Sequence, residues 1–308
     1  MKIAILNIYQ NTVNRGAETY VAEISKRLSI NHKVDVISDI NYLKILKANY
    51  DLIIPTNGRK QVFLIRFITW LTGAKMIVSG QSGIGWDDRL NLFAMPNVFI
   101  ALSTKALDWA KRINPLVKSV YIPNGVDLNK FNYNSDRKNN VKKIILSVGA
   151  FTEQKRHNLV IDAVSKLKEV KLIIAGGGGN KKEDIKKLGE KLLGKNRFEI
   201  VETTNNKMPE VYQNSDVLTF PTVPWESFGI VLVEAMASGL PVVASDDPIR
   251  REIVGDAGLF VDPTNTDEYA KAIEKALNTD WGSKPRKQAE KFSWDIIAKK
   301  YEELFKIL

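Results

Sequence analysis

Apolar and polar positions along this 308-residue chain follow two alternating patterns. Short β-branched and aliphatic runs recur between longer stretches whose apolar residues fall at helical spacing. That alternation predicts parallel strands joined by crossover helices. The first set places strands at Ile3–Ile8, Lys33–Ser38, Leu52–Pro55, Lys75–Ser79 and Val98–Ala101, with helices near Ala17–Leu28, Ile40–Lys47, Gln61–Leu71 and Lys105–Arg112. Tyr133–Lys143 (YNSDRKNNVKK) is polar, has no apolar period and reads as a linker. The alternation then restarts with strands at Ile144–Val148, Lys171–Ala175, Phe198–Val201, Val217–Phe220, Pro241–Ala244 and Gly258–Val261. Helices fall at His157–Lys168, Glu183–Leu193, Met208–Asn214, Gly229–Ser238 and Thr266–Asn278, and a last one, Trp294–Ile307, starts from a Ser293 cap. The expectation is two α/β doubly wound units, residues 1–128 and 144–292, on either side of a linker at 129–143. Ligands bind beyond the carboxyl ends of strands in such sheets, so two facing units would enclose a cleft.

Composition removes several chemistries. The chain has no cysteine and two histidines, His32 and His157, which excludes disulfides, thiolate catalysis and histidine-rich metal sites. Met1–Leu6 reads as a buried strand, not a leader, and no apolar run is long enough to span a bilayer. The formal charge of +10 comes from scattered lysines, concentrated at Lys181–Lys191 and Lys284–Lys291 on amphipathic helices. Nucleic acid is not expected, because basic residues do not interleave with aromatics on one element. The excess reads as solvated helix surface, with weak adhesion to an anionic membrane as a second use. Val62–Leu71, apolar but bearing Arg66, is read as a core helix, with a membrane-docking surface as the alternative.

The most informative segment is Pro221–Gly239, PTVPWESFGIVLVEAMASG. Glu226 lies in a proline-bounded loop, and Glu234 follows after seven intervening residues, inside a helix beginning near Gly229. A helix start offers free N–H groups and a positive dipole end to a phosphate. A carboxylate one turn in can accept from vicinal ribose hydroxyls, and the loop carboxylate from sugar hydroxyls. Taken alone, two surface glutamates explain the pair as well.

The segment closely resembles the signature of retaining glycosyltransferases of family 4. Other segments match that family in the same order: Asn14-Arg15-Gly16-Ala17-Glu18 (its G-G-A-E loop), Ile122–Asp127 (I-P-N-G-V-D), Val148–Lys155 (V-G-R-L-x-x-x-K) and Leu172–Gly179 (LIIAGGGG). The resemblance implies a GT-B architecture, two Rossmann-like domains facing each other across a cleft, with the final helix 293–308 packing back on the first domain. It implies a retaining, metal-independent hexosyl transfer from a nucleotide-sugar donor (UDP favoured, GDP next) to a glycan or lipid-linked acceptor. Catalytic roles fall to Glu226, Lys155 and Gln81. Donor binding falls to Gly16, Gly149, Lys155, Arg156, Gly177, Val201, Glu226, Ser227, Phe228, Gly229, Ile230 and Glu234. Acceptor binding falls to Arg15, Gln81, Trp86 and Asp87. No metal or other cofactor is expected, since Lys155 and the helix dipole offset the diphosphate charge. The expected location is cytoplasmic, with peripheral contact at the inner face of the membrane.

Two departures stand out. The arginine before the diphosphate lysine is Ala150, for which Arg156 or Arg15 could substitute. The histidine expected after the fourth strand is Gln81, which can hydrogen-bond but not act as acid or base. In Gly80–Asp88 (GQSGIGWDD), Trp86 beside two acids suits a sugar ring, with plain loop packing as the alternative. A non-catalytic sugar-nucleotide-binding subunit and a sugar-nucleotide 2-epimerase remain as other readings.

Overall fold

The computed structural model describes residues 1–10, 12–13, 16–132, 142–204 and 206–308. In chain order the strands and helices are β1 (Lys2–Leu6), α1 (Gly16–Leu28), β2 (Lys33–Ile37), α2 (Tyr42–Lys47), β3 (Leu52–Pro55), α3 (Arg59–Thr72), β4 (Lys75–Ser79), α4 (Trp86–Phe93), β5 (Val98–Ala101), α5 (Thr104–Ile113) and β6 (Ser119–Tyr121). There follow β7 (Lys143–Val148), α6 (His157–Ser165), β8 (Val170–Gly176), α7 (Lys182–Leu193), β9 (Phe198–Glu202), α8 (Met208–Gln213), β10 (Val217–Phe220), α9 (Ile230–Ala237), β11 (Val242–Ser245), α10 (Pro248–Val254), β12 (Gly258–Val261), α11 (Thr266–Asn278), α12 (Lys284–Glu290) and α13 (Trp294–Phe305).

Two compact units result, Met1–Gly125 with Trp225–Phe228 and Trp294–Leu308, and Val126–Pro224 with Gly229–Ser293. Each holds one parallel six-stranded sheet, ordered β2-β1-β3-β4-β5-β6 in the first and β12-β11-β10-β7-β8-β9 in the second. The second order is the dinucleotide-binding arrangement, with a switch point between β7 and β10. The central strands of both sheets are buried on both faces, so they read as continuous apolar runs: Ile3–Leu6, Leu52–Pro55 and Val217–Phe220 have every residue buried.

In the first unit, α2 to α5 cover one face of the sheet, through Ile45, Val62, Ile65, Ile68, Leu92 and Ala110. α1 and α13 pack against each other. Buried Tyr20 and Tyr301 meet hydroxyl to hydroxyl at 2.9 Å, and Arg27 donates to Asp295 at 2.6 Å. In the second unit, α6, α7 and α11 close over one face around Phe151, Ile161, Ile185 and Tyr269.

The structure departs from the sequence reading at several places. Residues 129–132, read as linker, belong to the second unit, because Arg286 donates to the Leu128 and Phe131 carbonyls at 3.1 and 2.7 Å. The rest of the linker, 133–141, lies outside the described residues. Trp86, Asp87 and Asp88, read as the end of a loop over Gly80–Asp88, instead open the helix Trp86–Phe93, and the paired acids are the first-turn residues favoured by the helix dipole. Helix α10 went unread although Asp247 caps it, accepting from Ile249 and Arg250 N–H, with Pro248 at its first position. Finally, α3 is no core helix on its outer side: Val62, Ile65 and Ile68 are buried, while Phe63, Leu64, Phe67, Trp70 and Leu71 are exposed. No described helix is long and apolar enough to cross a membrane.

His157 opens α6, is buried, and shares a hydrogen bond between Nδ1 and Ser147 Oγ at 2.9 Å. Burial lowers its pKa to about 4, and the nearby Lys155 charge acts the same way. A histidine whose pKa falls on folding stabilises the fold while neutral, fully above about pH 6.5, and loses that contribution as the pH drops through 4. Between neutral pH and about pH 4 the wild type should therefore lose on the order of 3 kcal/mol more than His157→Gln. Urea unfolding midpoints of the two proteins across that range measure the difference.

Candidate functional site

The loops of interest leave the carboxyl ends of the second sheet. After β7 the chain runs through Gly149–Phe151 into a single 3-10 turn, Glu153–Lys155, and Arg156 caps α6 in a left-handed conformation (φ 50°). After β8 comes the glycine turn. A Cβ on Gly176 would sit 2.0 Å from the Gly149 carbonyl oxygen, and one on Gly179 (φ +93°) would sit 2.2 Å from that of Phe151. Only glycine permits such backbone contact. Phe151 N–H donates to Gly178 O at 2.8 Å and Lys181 N–H to Phe151 O at 2.9 Å, locking the two loops together. Gly177, the glycine singled out in the sequence, has nothing within 4 Å of its Cβ position.

That lock sets the lysine. Its stem lies against Gly149, 3.0 Å from the ideal Cβ position, and Nζ stands 5.7 Å from the centre of the Phe220 ring. Lys155 after β7 and Phe220 at the end of β10 thus meet at the switch point, where the strand order opens a crevice. Arg156, the candidate substitute for the arginine missing at Ala150, has its charge close enough to Asp262 to help hold that carboxyl below the usual range, after the larger effect of Thr264 N–H and Oγ1–H. Val201 is half-buried near the end of β9.

From β10 the chain enters Pro221–Gly229. Its first half is tied to the second unit: Ser245 Oγ donates to Thr222 O at 3.0 Å, Val223 N–H to Gln154 O at 3.3 Å, and Arg250 Nη2 to Pro224 O at 3.2 Å. Arg250 is wholly buried and paired with Asp247 at 2.7 Å, so a desolvated ion pair anchors the loop. Its second half, Trp225–Phe228, groups with the first unit, correcting its placement inside 144–292. It lies against Gly83 (φ +83°), where a Cβ would stand 2.6 Å from the Trp225 carbonyl oxygen. Glu226 and Ser227 are half-buried, while Phe228 and Ile230 bury their side chains and could offer a ligand only backbone.

Gly229 (φ +88°) opens α9, and a Cβ there would strike Phe220 at 2.8 Å. The helix (IVLVEAMA) is apolar except for Glu234, whose carboxylate accepts from buried Tyr212 Oη at 2.8 Å. Tyr212 and Arg250 were invisible to motif reading. Arg250 carried one local signal, the Asp-Pro-x-Arg run at a helix start, whereas Tyr212 reaches Glu234 only through tertiary packing.

In the first unit, Gln81 and Asn124 exchange amide hydrogen bonds at 3.0 and 2.9 Å, and Gln81 also donates to Ser79 Oγ at 2.9 Å. This joins the end of β4 to the Ile122–Asp127 motif. Asp87 accepts from Arg59 Nε at 2.6 Å. Trp86 is exposed, while Asp88 is buried and accepts from Asn91 at 3.0 Å, with burial raising its pKa to about 7. Gly16 starts α1, and Arg15 lies outside the described residues. Among the described residues, no group of three or more His, Asp and Glu side chains is gathered for a metal.

The family model for glycosyl transferases group 1 matches residues 130–293, more than half of the chain. An uncharacterized glycosyltransferase of Methanocaldococcus jannaschii is 35% identical over 54% of this chain and 45% of its own length. The phosphatidyl-myo-inositol mannosyltransferase of Mycolicibacterium smegmatis is 30% identical over 58% of this chain and 50% of its own. The chain thus spans about half the length of these curated relatives. Anabaena HepE in complex with UDP superposes with a TM-score of 0.86 at 19% identity, covering 100% of both chains. Sucrose-phosphate synthase from Thermosynechococcus elongatus gives 0.82 at 18% identity, over 99% of this chain and 98% of that one. The fold is therefore that of two Rossmann-like domains of the GT-B kind.

Two predictions follow from the packing. Gly176→Ala should lower stability by roughly 1–3 kcal/mol, with Gly177→Ala within about 0.5 kcal/mol of wild type, by thermal unfolding. Arg250→Ala, leaving Asp247 buried without its cation, should cost about 3–5 kcal/mol in urea unfolding.

Proposed function

The chain belongs to the glycosyl transferases group 1 family, and from that premise we propose that it moves a sugar from a nucleotide-diphosphate donor to a glycan or lipid-linked acceptor, with retention and without a metal. The observation that carries this reading is the meeting of Lys155 and Phe220 at the β7/β10 switch point, beside the amino end of α9. Lys155 and the α9 dipole take the diphosphate. Glu234, held by Tyr212, accepts from the ribose hydroxyls, and Glu226 from those of the transferred sugar. UDP is favoured as the nucleotide, in line with the HepE complex, and GDP comes next. Gln81, Trp86 and Asp87 serve the acceptor side.

In the proposed reaction the acceptor oxygen bonds to the anomeric carbon on the face that the diphosphate leaves. The departing phosphate oxygen takes the acceptor's proton. The protein then supplies position and charge more than acid–base chemistry, which a glutamine at position 81 allows.

Turnover of UDP-glucose with EDTA present, scored by released UDP, tests the reading alongside calorimetric UDP binding. Glu226→Ala should lower turnover about 100-fold or more with UDP affinity kept, and Lys155→Ala should weaken UDP binding about 10- to 100-fold. Tight UDP binding with no turnover of any UDP- or GDP-sugar would favour a non-catalytic binding subunit, a reading that the Gln81–Asn124 amide pair keeps open.

A further inference from the structure

The outer face of α3 is apolar where solvent should select polar residues. Phe63, Phe67 and Trp70 repeat at four and three residues, Leu64 and Leu71 lie beside them, and all five are 45–66% exposed. The helices packed beside α3 also carry exposed apolar side chains, Phe93 of α4 at 50% and Leu43 of α2 at 70%. Contiguous apolar surface of this kind marks an interaction site.

Charge identifies the occupant. Helices α2 to α5 carry nine Lys or Arg and three Asp. Of those Asp, Asp88 is buried and Asp87 is paired with Arg59. Two of the cations sit on the aromatic face itself: the Arg66 guanidinium lies 5.1 Å from the Trp70 ring centre and that of Arg89 lies 6.0 Å from Phe93. Exposed Trp, Phe and Leu beside Arg66 and Arg89, on helices rich in Lys and Arg, suit the boundary between acyl chains and anionic headgroups, where aromatic rings and snorkelling cations are both favoured. A second copy of the chain fits poorly, since pairing two such faces sets like charges together.

We infer that this face, centred on Phe67 and Trp70, docks on the surface of a bilayer containing anionic lipid. The inference stands apart from the transferase reading, because it concerns lipid binding by the whole chain and needs no donor.

The test is flotation of the full chain with vesicles of phosphatidylcholine, alone or mixed with phosphatidylglycerol. The wild type should float with the mixed vesicles and not with phosphatidylcholine alone, with added salt weakening binding. Phe67→Ser/Trp70→Ser, at exposed positions that the fold does not need, should weaken binding at least about tenfold with an unchanged thermal transition. Lys60→Glu/Arg89→Glu, which keeps the aromatics, should weaken it as well. No wild-type binding to mixed vesicles, equal binding to both vesicle types, or undiminished binding by the serine variant would overturn the inference. So would a wild-type dimer in sedimentation that the serine substitutions convert to monomer.

Discussion

The strand order of the second sheet is the constraint on which the candidate site depends. β7 pairs with β8 on one side and β10 on the other. The connections that leave these strands therefore diverge, and the carboxyl edge between β7 and β10 stays open. Into that opening come the turn bearing Lys155, the ring of Phe220 and the amino end of α9. Without the switch, these residues would be three unrelated loop features.

Around the opening the chain uses close backbone contact and buried charge to hold loops that have no core of their own. The β7 and β8 loops are held by glycines that let carbonyls approach to where a Cβ would stand. The β10 loop is held by Arg250, an ion pair removed from water, a costly device that is tolerated when its geometry satisfies the guanidinium. Glu234 follows the same logic, as the single charged side chain of an apolar helix, met by a buried tyrosine hydroxyl. Such fixed groups bind a charged ligand without first paying to reorganise.

Much of this was legible in sequence. Parallel strands buried on both faces announce themselves as apolar runs, so Ile144–Val148 and Val217–Phe220 could be read within a residue of their observed bounds. Strand β6 could not, because its three residues are only half-buried and form no apolar run. Glycine-rich context made Trp86–Asp88 look like loop, although Asp87 and Asp88 marked a helix start. α3 was legible as an apolar helix bearing an arginine, but a hydropathy pattern does not say which of its apolar residues meet the core. Val62, Ile65 and Ile68 do, and Phe67 and Trp70 do not. In the candidate site, Lys155, Glu226 and Glu234 were proposed from the resemblance to the family 4 signatures. The groups that hold them, Arg250 and Tyr212, depend on contacts between residues distant in sequence, which no local pattern records.

The most direct test of the central claim, that the nucleotide diphosphate sits at the β7/β10 switch point, is hydrogen–deuterium exchange of the full chain with and without UDP. The account predicts that UDP slows exchange at Gly149–Arg156 and at the amino end of α9, from Gly229 onward. Slowed exchange confined to loops of the first sheet, or none at saturating UDP, would contradict it.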